Sequence, residues 1–147
     1  MRSWLVFLLV SGCSGVVKGE GFRASVLQAH DASLKGKFAG AEGSSCGVDS
    51  PQGRELRLRG EGFVLTSMEP PGRPERRTVV MELGGQRYVS DRPGAETNLV
   101  LDTPGGRLIG SLSGTLVHES AGSMVEGRPA PVRELSFEAT FNLQPCL

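Results

Sequence analysis

Arg133-Glu134-Leu135-Ser136-Phe137-Glu138-Ala139-Thr140-Phe141-Asn142-Leu143-Gln144-Pro145-Cys146-Leu147 decides the fold. From Leu135 to Leu143 apolar and polar residues alternate without a miss, and side chains along an extended strand point to opposite faces with a period of two. One face is therefore core and the other meets water. Pro145 has no N–H to give to a ladder and ends the strand, which leaves Cys146 just beyond it, placed to fasten the terminus by a disulfide. Such a strand needs partners that bury its apolar face.

The preceding residues supply them. In residues 107–117, Leu108, Gly110, Leu112, Gly114 and Leu116 share a face, and the two glycines leave room for Phe137, Phe141 or the close approach of another sheet. This strand is the expected neighbour of the terminal one. Residues 97–101 precede it across an Asp102-Thr103-Pro104-Gly105-Gly106 loop, as in a hairpin, and Gly84-Gly85 joins residues 78–83 to 86–90 by a tight primed turn. Further alternation covers residues 22–26, 34–38, 56–58 and 63–65. Between the last two, the parity changes across Gly60 and Gly62, which predicts a bulge or bend. Residues 39–53, 68–77 and 118–131 read as loops from their Gly, Pro, Ser and Asp content. With no long segment of helical period, the expectation is an all-β domain over residues 22–147. It is a mainly antiparallel β-sandwich or flattened barrel of about 7–9 strands.

Composition narrows function by exclusion. Lys plus Arg and Asp plus Glu number 16 each, so no net field draws the chain to nucleic acid, and none is expected as a partner. The 147 residues amount to one domain, and 21 glycines with 5% aromatic residues suit short strands and turns.

The N-terminus reads as an address. Arg2 supplies a positive charge, residues 4–10 are an unbroken apolar run, and Ser11-Gly12 precede Cys13. This is the layout of an export signal, and the run is too short to span a bilayer as a helix. Val10-Ser11-Gly12-Cys13 resembles the lipobox of bacterial lipoproteins. That resemblance implies removal of residues 1–12, a lipid such as palmitate on Cys13, and a membrane partner engaged through that lipid. Residues 13–21 then form a lipidated cysteine and a short Gly-rich tether. In Gram-negative lipoproteins an Asp after the cysteine favours inner-membrane retention. Ser14 thus implies the outer membrane, with the domain facing periplasm or cell surface. Three cysteines would leave one unpaired in an exported protein. Lipidation of Cys13 accounts for the odd one and leaves Cys46 and Cys146 to form a disulfide.

Catalytic signatures are few. Gly110-Ser111-Leu112-Ser113-Gly114 has the spacing of a nucleophile elbow, but Leu112 occupies the nucleophile position in what reads as continuous strand. His30-Asp31 and His118-Glu119 fall at strand ends, and adjacent strand residues face opposite ways, so neither pair chelates a metal alone. No metal or cofactor is expected, and no catalytic residue is assigned. The sequence reading is a lipid-anchored envelope protein with a non-catalytic β-domain, binding an envelope protein along a strand edge or a small apolar ligand between its sheets. The alternative is an envelope hydrolase whose loop-built site uses His118 or His30 with Asp31, Asp91 or Glu119.

Overall fold

A computed structural model describes residues 21–40 and 45–146. The described strands are β1 (Gly21–Ala29), β2 (Gly36–Gly40), β3 (Cys46–Ser50), β4 (Gly53–Gly60), β5 (Phe63–Glu69) and β6 (Thr78–Leu83). There follow β7 (Gln86–Val89), β8 (Glu96–Asp102), β9 (Leu108–His118), β10 (Met124–Val125), β11 (Arg128–Pro129) and β12 (Glu134–Leu143). Nine of them run in one hydrogen-bonded order, β2-β1-β12-β9-β7-β6-β5-β4-β3, while β8 adds to β9, and β10 with β11 makes a separate small hairpin. Every paired strand is antiparallel. The large sheet curls into a half-barrel, the all-β architecture expected from the alternation.

The terminal strand is central to it. β12 pairs with β1 on one side and with β9 on the other over ten registered residue pairs, Glu134↔Val117 through Leu143↔Leu108. Leu135, Phe137, Ala139, Phe141 and Leu143 are all buried. They join Phe22, Leu56, Leu58, Phe63, Leu65, Met81, Tyr88, Leu112 and Leu116 in one core inside the curl. Burying this much apolar area from several strands is what an antiparallel sheet with one wet face requires.

At β9 the sheet divides. Along its last residues β9 is joined by β7, with Tyr88 opposite His118 and Val89 opposite Val117. After residues 90–95 the chain returns to the same side of β9, now as β8, with Glu96 opposite Thr115 through Asp102 opposite Ile109. β7 has β6 on its far side, but β8 pairs with β9 alone among the described residues. The opposite corner is closed by the terminus: the Gly47 N–H donates to the Gln144 carbonyl at 3.0 Å and the Cys146 N–H to the Gly47 carbonyl at 2.9 Å.

Several local expectations are revised. Residues 46–50, read as loop, form β3. The parity change at Gly60 and Gly62 is a two-residue hairpin turn, with Gly60 paired to Phe63, and reverses the chain instead of bending one strand. Leu34, expected to open a strand, ends a 3-10 turn, Ala32–Leu34, capped by Asp31. β1 begins at Gly21, one residue ahead of the expected boundary. The Gly84-Gly85 turn is as read, with φ of 59° and 78°, the left-handed pair that a primed hairpin turn demands.

Candidate functional site

The signal, lipobox, Cys13 and tether expected over residues 1–20 lie outside the described residues. Cys46 and Cys146 come together, with sulfurs 1.99 Å apart and Cα atoms 5.0 Å apart across a sequence separation of 100. The bridge is disulfide-bonding geometry between β3, at one edge of the sheet, and the segment after β12 near its middle. It secures the corner that the Gly47 hydrogen bonds close.

The two histidines converge on one residue that the sequence did not single out, Tyr88. The His118 ring meets Tyr88 edge-on at 5.3 Å between centroids, and the exposed His30 ring lies tilted at 6.0 Å from the same phenol. His118 is 8% exposed. Its Nδ1 accepts the Ser120 backbone N–H at 3.1 Å and faces the Ser120 hydroxyl at 2.7 Å. An N–H aimed at Nδ1 fixes the proton on Nε2, which donates to Gln86 Oε1 at 2.6 Å. Burial holds the His118 pKa below its ordinary value, and electrostatic interaction with Arg133 and His30 acts the same way against the opposing Glu119. Burial likewise raises the Tyr88 phenol. The Tyr88 hydroxyl is buried with no hydrogen-bond partner among the described residues.

The carboxylates named with these histidines are engaged elsewhere. Asp31 accepts the Ser33 backbone N–H at 2.9 Å and its hydroxyl at 2.8 Å, bonds that hold its pKa low. Asp91 pairs with Arg92 at 2.9 Å and Glu119 with Arg87 at 3.8 Å. No group of three or more potential metal-ligating side chains occurs among the described residues. General-base chemistry at His118 would need Nδ1, and that lone pair already faces two donors on Ser120. What the geometry does is join: Gln86 on β7, His118 on β9 and Ser120 beyond it are tied where the two parts of the sheet meet.

Two surface features are better shaped for recognition. The first is the edge of β8, whose Glu96, Asn98, Val100 and Asp102 are exposed while Thr97, Leu99 and Leu101 are partly buried. Val100 is 59% exposed. The second is a groove of about 580 Å³ on the outer face of β3 to β6, with Val48, Met68, Pro70 and Pro71 as its apolar lining and Arg76 beside them. Its floor follows from register: Val48 pairs with Glu55, Glu55 with Met68, and Met68 with Thr78, one outward-facing row. The loop over residues 68–77 carries the cationic cluster visible in the sequence, and the fold divides it. Arg77 is drawn into an ion pair with Glu69 at 2.9 Å, whereas Arg76 turns to the groove.

In comparisons with protein-family models, curated proteins and solved structures, nothing matches this chain.

Proposed function

We propose that this protein is a lipid-anchored envelope protein, held at the outer membrane through Cys13, whose β-domain works without catalysis by binding an extended segment of another envelope protein along β8. The observation that supports this reading is the edge itself. β8 pairs with β9 over seven residues, Glu96 to Asp102, and with no other strand among the described residues. An unshared strand edge offers backbone donors and acceptors to an added strand, and alternate side-chain positions give that pairing its selectivity.

The charges along β8 favour a foreign strand over a second copy. Two β8 edges laid antiparallel about Leu99 would set Glu96 of each against Asp102 of the other, and like charges placed opposite across strands are unfavourable. A partner strand with basic residues flanking an apolar one complements Glu96, Val100 and Asp102. A ligand between the sheets has less to recommend it, since Leu58, Phe63, Leu112, Phe137 and Tyr88 fill that space at 0–2% exposure.

The anchor and the edge are tested separately. Mass spectrometry of the membrane-extracted protein should find residues 1–12 removed and a diacyl or triacyl mass on Cys13; a soluble mature form with an unmodified thiol overturns the anchor. A photo-crosslinking residue at position 98 or 100 of the full chain should capture one protein in intact cells, and the same probe at Arg57 on β4 should not. Equal capture from both positions removes the edge reading.

A further inference from the structure

The groove on the outer face of β3 to β6 has a charge balance that its sequence conceals. Four of its lining residues are charged: Arg54, Glu55, Glu69 and Arg76. Arg54 is held by Asp49 at 3.2 Å and by Glu69 at 3.5 Å, Glu69 also by Arg77 at 2.9 Å, and Glu55 by Arg57 at 2.9 Å. Arg76 alone of the four enters no ion pair among the described residues. The apolar residues of the lining are thus joined to one guanidinium that enters no ion pair among the described residues.

The apolar part is open as well. Met68 is 53% exposed on a strand otherwise turned to the core at Phe63, Leu65 and Ser67. An exposed thioether beside two prolines gives the groove an apolar stretch alongside its polar residues, and the unbranched, adaptable methionine chain suits contact with a flexible alkyl chain. The volume, about 580 Å³, lies within the usual range for small-ligand clefts.

We infer that this groove binds a single-chain anionic amphiphile, a medium-chain carboxylate whose alkyl chain lies on Val48, Met68, Pro70 and Pro71 while its carboxylate meets Arg76. The planar guanidinium fork matches a carboxylate in shape, and its one charge matches the one charge of the acid. The choice of a free amphiphile over a bilayer headgroup follows from the groove's form: its concave apolar part, Val48, Met68, Pro70 and Pro71, has nothing to contact on a headgroup surface but can enclose a chain. This site is independent of the β8 edge and of the anchor, and its failure leaves both standing.

The test is calorimetric titration of the full chain carrying Cys13→Ser with sodium decanoate, kept below its micelle concentration. Amide shifts at Val48, Met68 and Thr78 are followed in parallel. Saturable binding is expected, weakening by about twofold to fourfold for each methylene removed on going to octanoate. Arg76→Gln should weaken it about tenfold, as for loss of a charge-assisted hydrogen bond. Met68→Gln should remove the chain-length dependence, and decyltrimethylammonium should not compete. Both substituted side chains are exposed, so circular dichroism of each variant should match the parent. Decanoate binding that Arg76→Gln leaves unchanged overturns the inference. So does binding to anionic phospholipid vesicles with no saturable binding of decanoate, which assigns the cation to a membrane surface.

Discussion

Phe141 lies directly opposite Gly110 in the ladder between β12 and β9, and Phe137 lies opposite Gly114 in the same ladder. Each aromatic ring has a neighbour without a side chain, an arrangement in which a large cross-strand residue covers a backbone that glycine leaves bare. The missing side chains are also needed on the other side of β9. A Cβ built on Gly110 would lie 2.0 Å from the Val100 carbonyl oxygen, and one on Gly114 would lie 2.0 Å from that of Glu96. Two glycines opposite two phenylalanines thus admit the β8 backbone onto β9.

Gly110→Ala and Gly114→Ala should each destabilise the domain by about 1–3 kcal/mol in urea unfolding, because the atom in the way is backbone and cannot rotate aside. The loss should appear first as faster amide exchange along β8. Gly62→Ala, where the added Cβ meets nothing within 4 Å, is the control. It should cost only the strain of its left-handed backbone, about 1 kcal/mol, and leave β8 protected.

The bridge at the opposite corner makes a larger contribution. Closing a loop of about 100 residues removes chain entropy worth up to about 4.7 kcal/mol. Replacing Cys46 and Cys146 together by alanine should lower stability by about 3–5 kcal/mol, read as a fall in the urea midpoint that reducing agent reproduces in the parent and not in the variant. Peptide mapping without reductant should recover the two cysteines in one cross-linked peptide; separate free thiols would contradict this.

The sequence carried the strands whose side chains alternate and missed those whose register depends on a distant residue. β12 and β9 were legible because every inward position of β12 is apolar and glycine alternates with leucine along β9. β3 was not: its Gly47 faces inward with no side chain, and the space there belongs to Leu108, whose Cδ1 would lie 2.0 Å from a Cβ on Gly47. Nothing within residues 46–50 can announce a neighbour on β9. The same limit applies to His118, since Gln86 and Ser120 reach its two nitrogens only after β7 has paired with β9. Likewise, the three arginines of residues 73–77 read as one patch until Glu69 takes Arg77 out of it.

That carboxylate leads to the next expectation. Glu69 is 11% exposed and serves both Arg54 and Arg77, which are 29% and 13% exposed, so its removal takes the carboxylate from Arg77 and leaves Arg54 with Asp49 alone. Glu69→Gln keeps the shape but not the charge. It should destabilise the fold by about 1–3 kcal/mol, less than a fully buried pair because water still reaches Arg54. Arg57→Gln, which breaks the exposed pair with Glu55, should change stability by less than about 1 kcal/mol in the same assay.

The last expectation concerns acid, and its sign follows from His118. In the fold Nδ1 receives the Ser120 N–H, so a second ring proton has to displace that donor, and the ring is buried beside Arg133 and near His30, with only Glu119 favouring charge. These effects lower its folded pKa from an ordinary 6.5. A group that binds its proton more weakly when folded gives stability that is fully present above the unfolded pKa and is lost as pH falls through the folded one. The urea midpoint should therefore stay level above pH of about 7 and decline below about 6.5, each unit of pKa difference being worth about 1.4 kcal/mol. Asp31, whose pKa is also lowered but from 3.8, acts only at still lower pH and does not mask this decline. His118→Gln should flatten the slope in that window even if it lowers stability at every pH. The β7–β9 junction should loosen first, because it consists of the pairs Tyr88↔His118 and Val89↔Val117, so amide exchange at Tyr88 and Val89 should quicken in acid before exchange in β4 or β5 does. Ring titration by NMR gives the direct check: His118 protonating at or above 6.5 would contradict the burial argument.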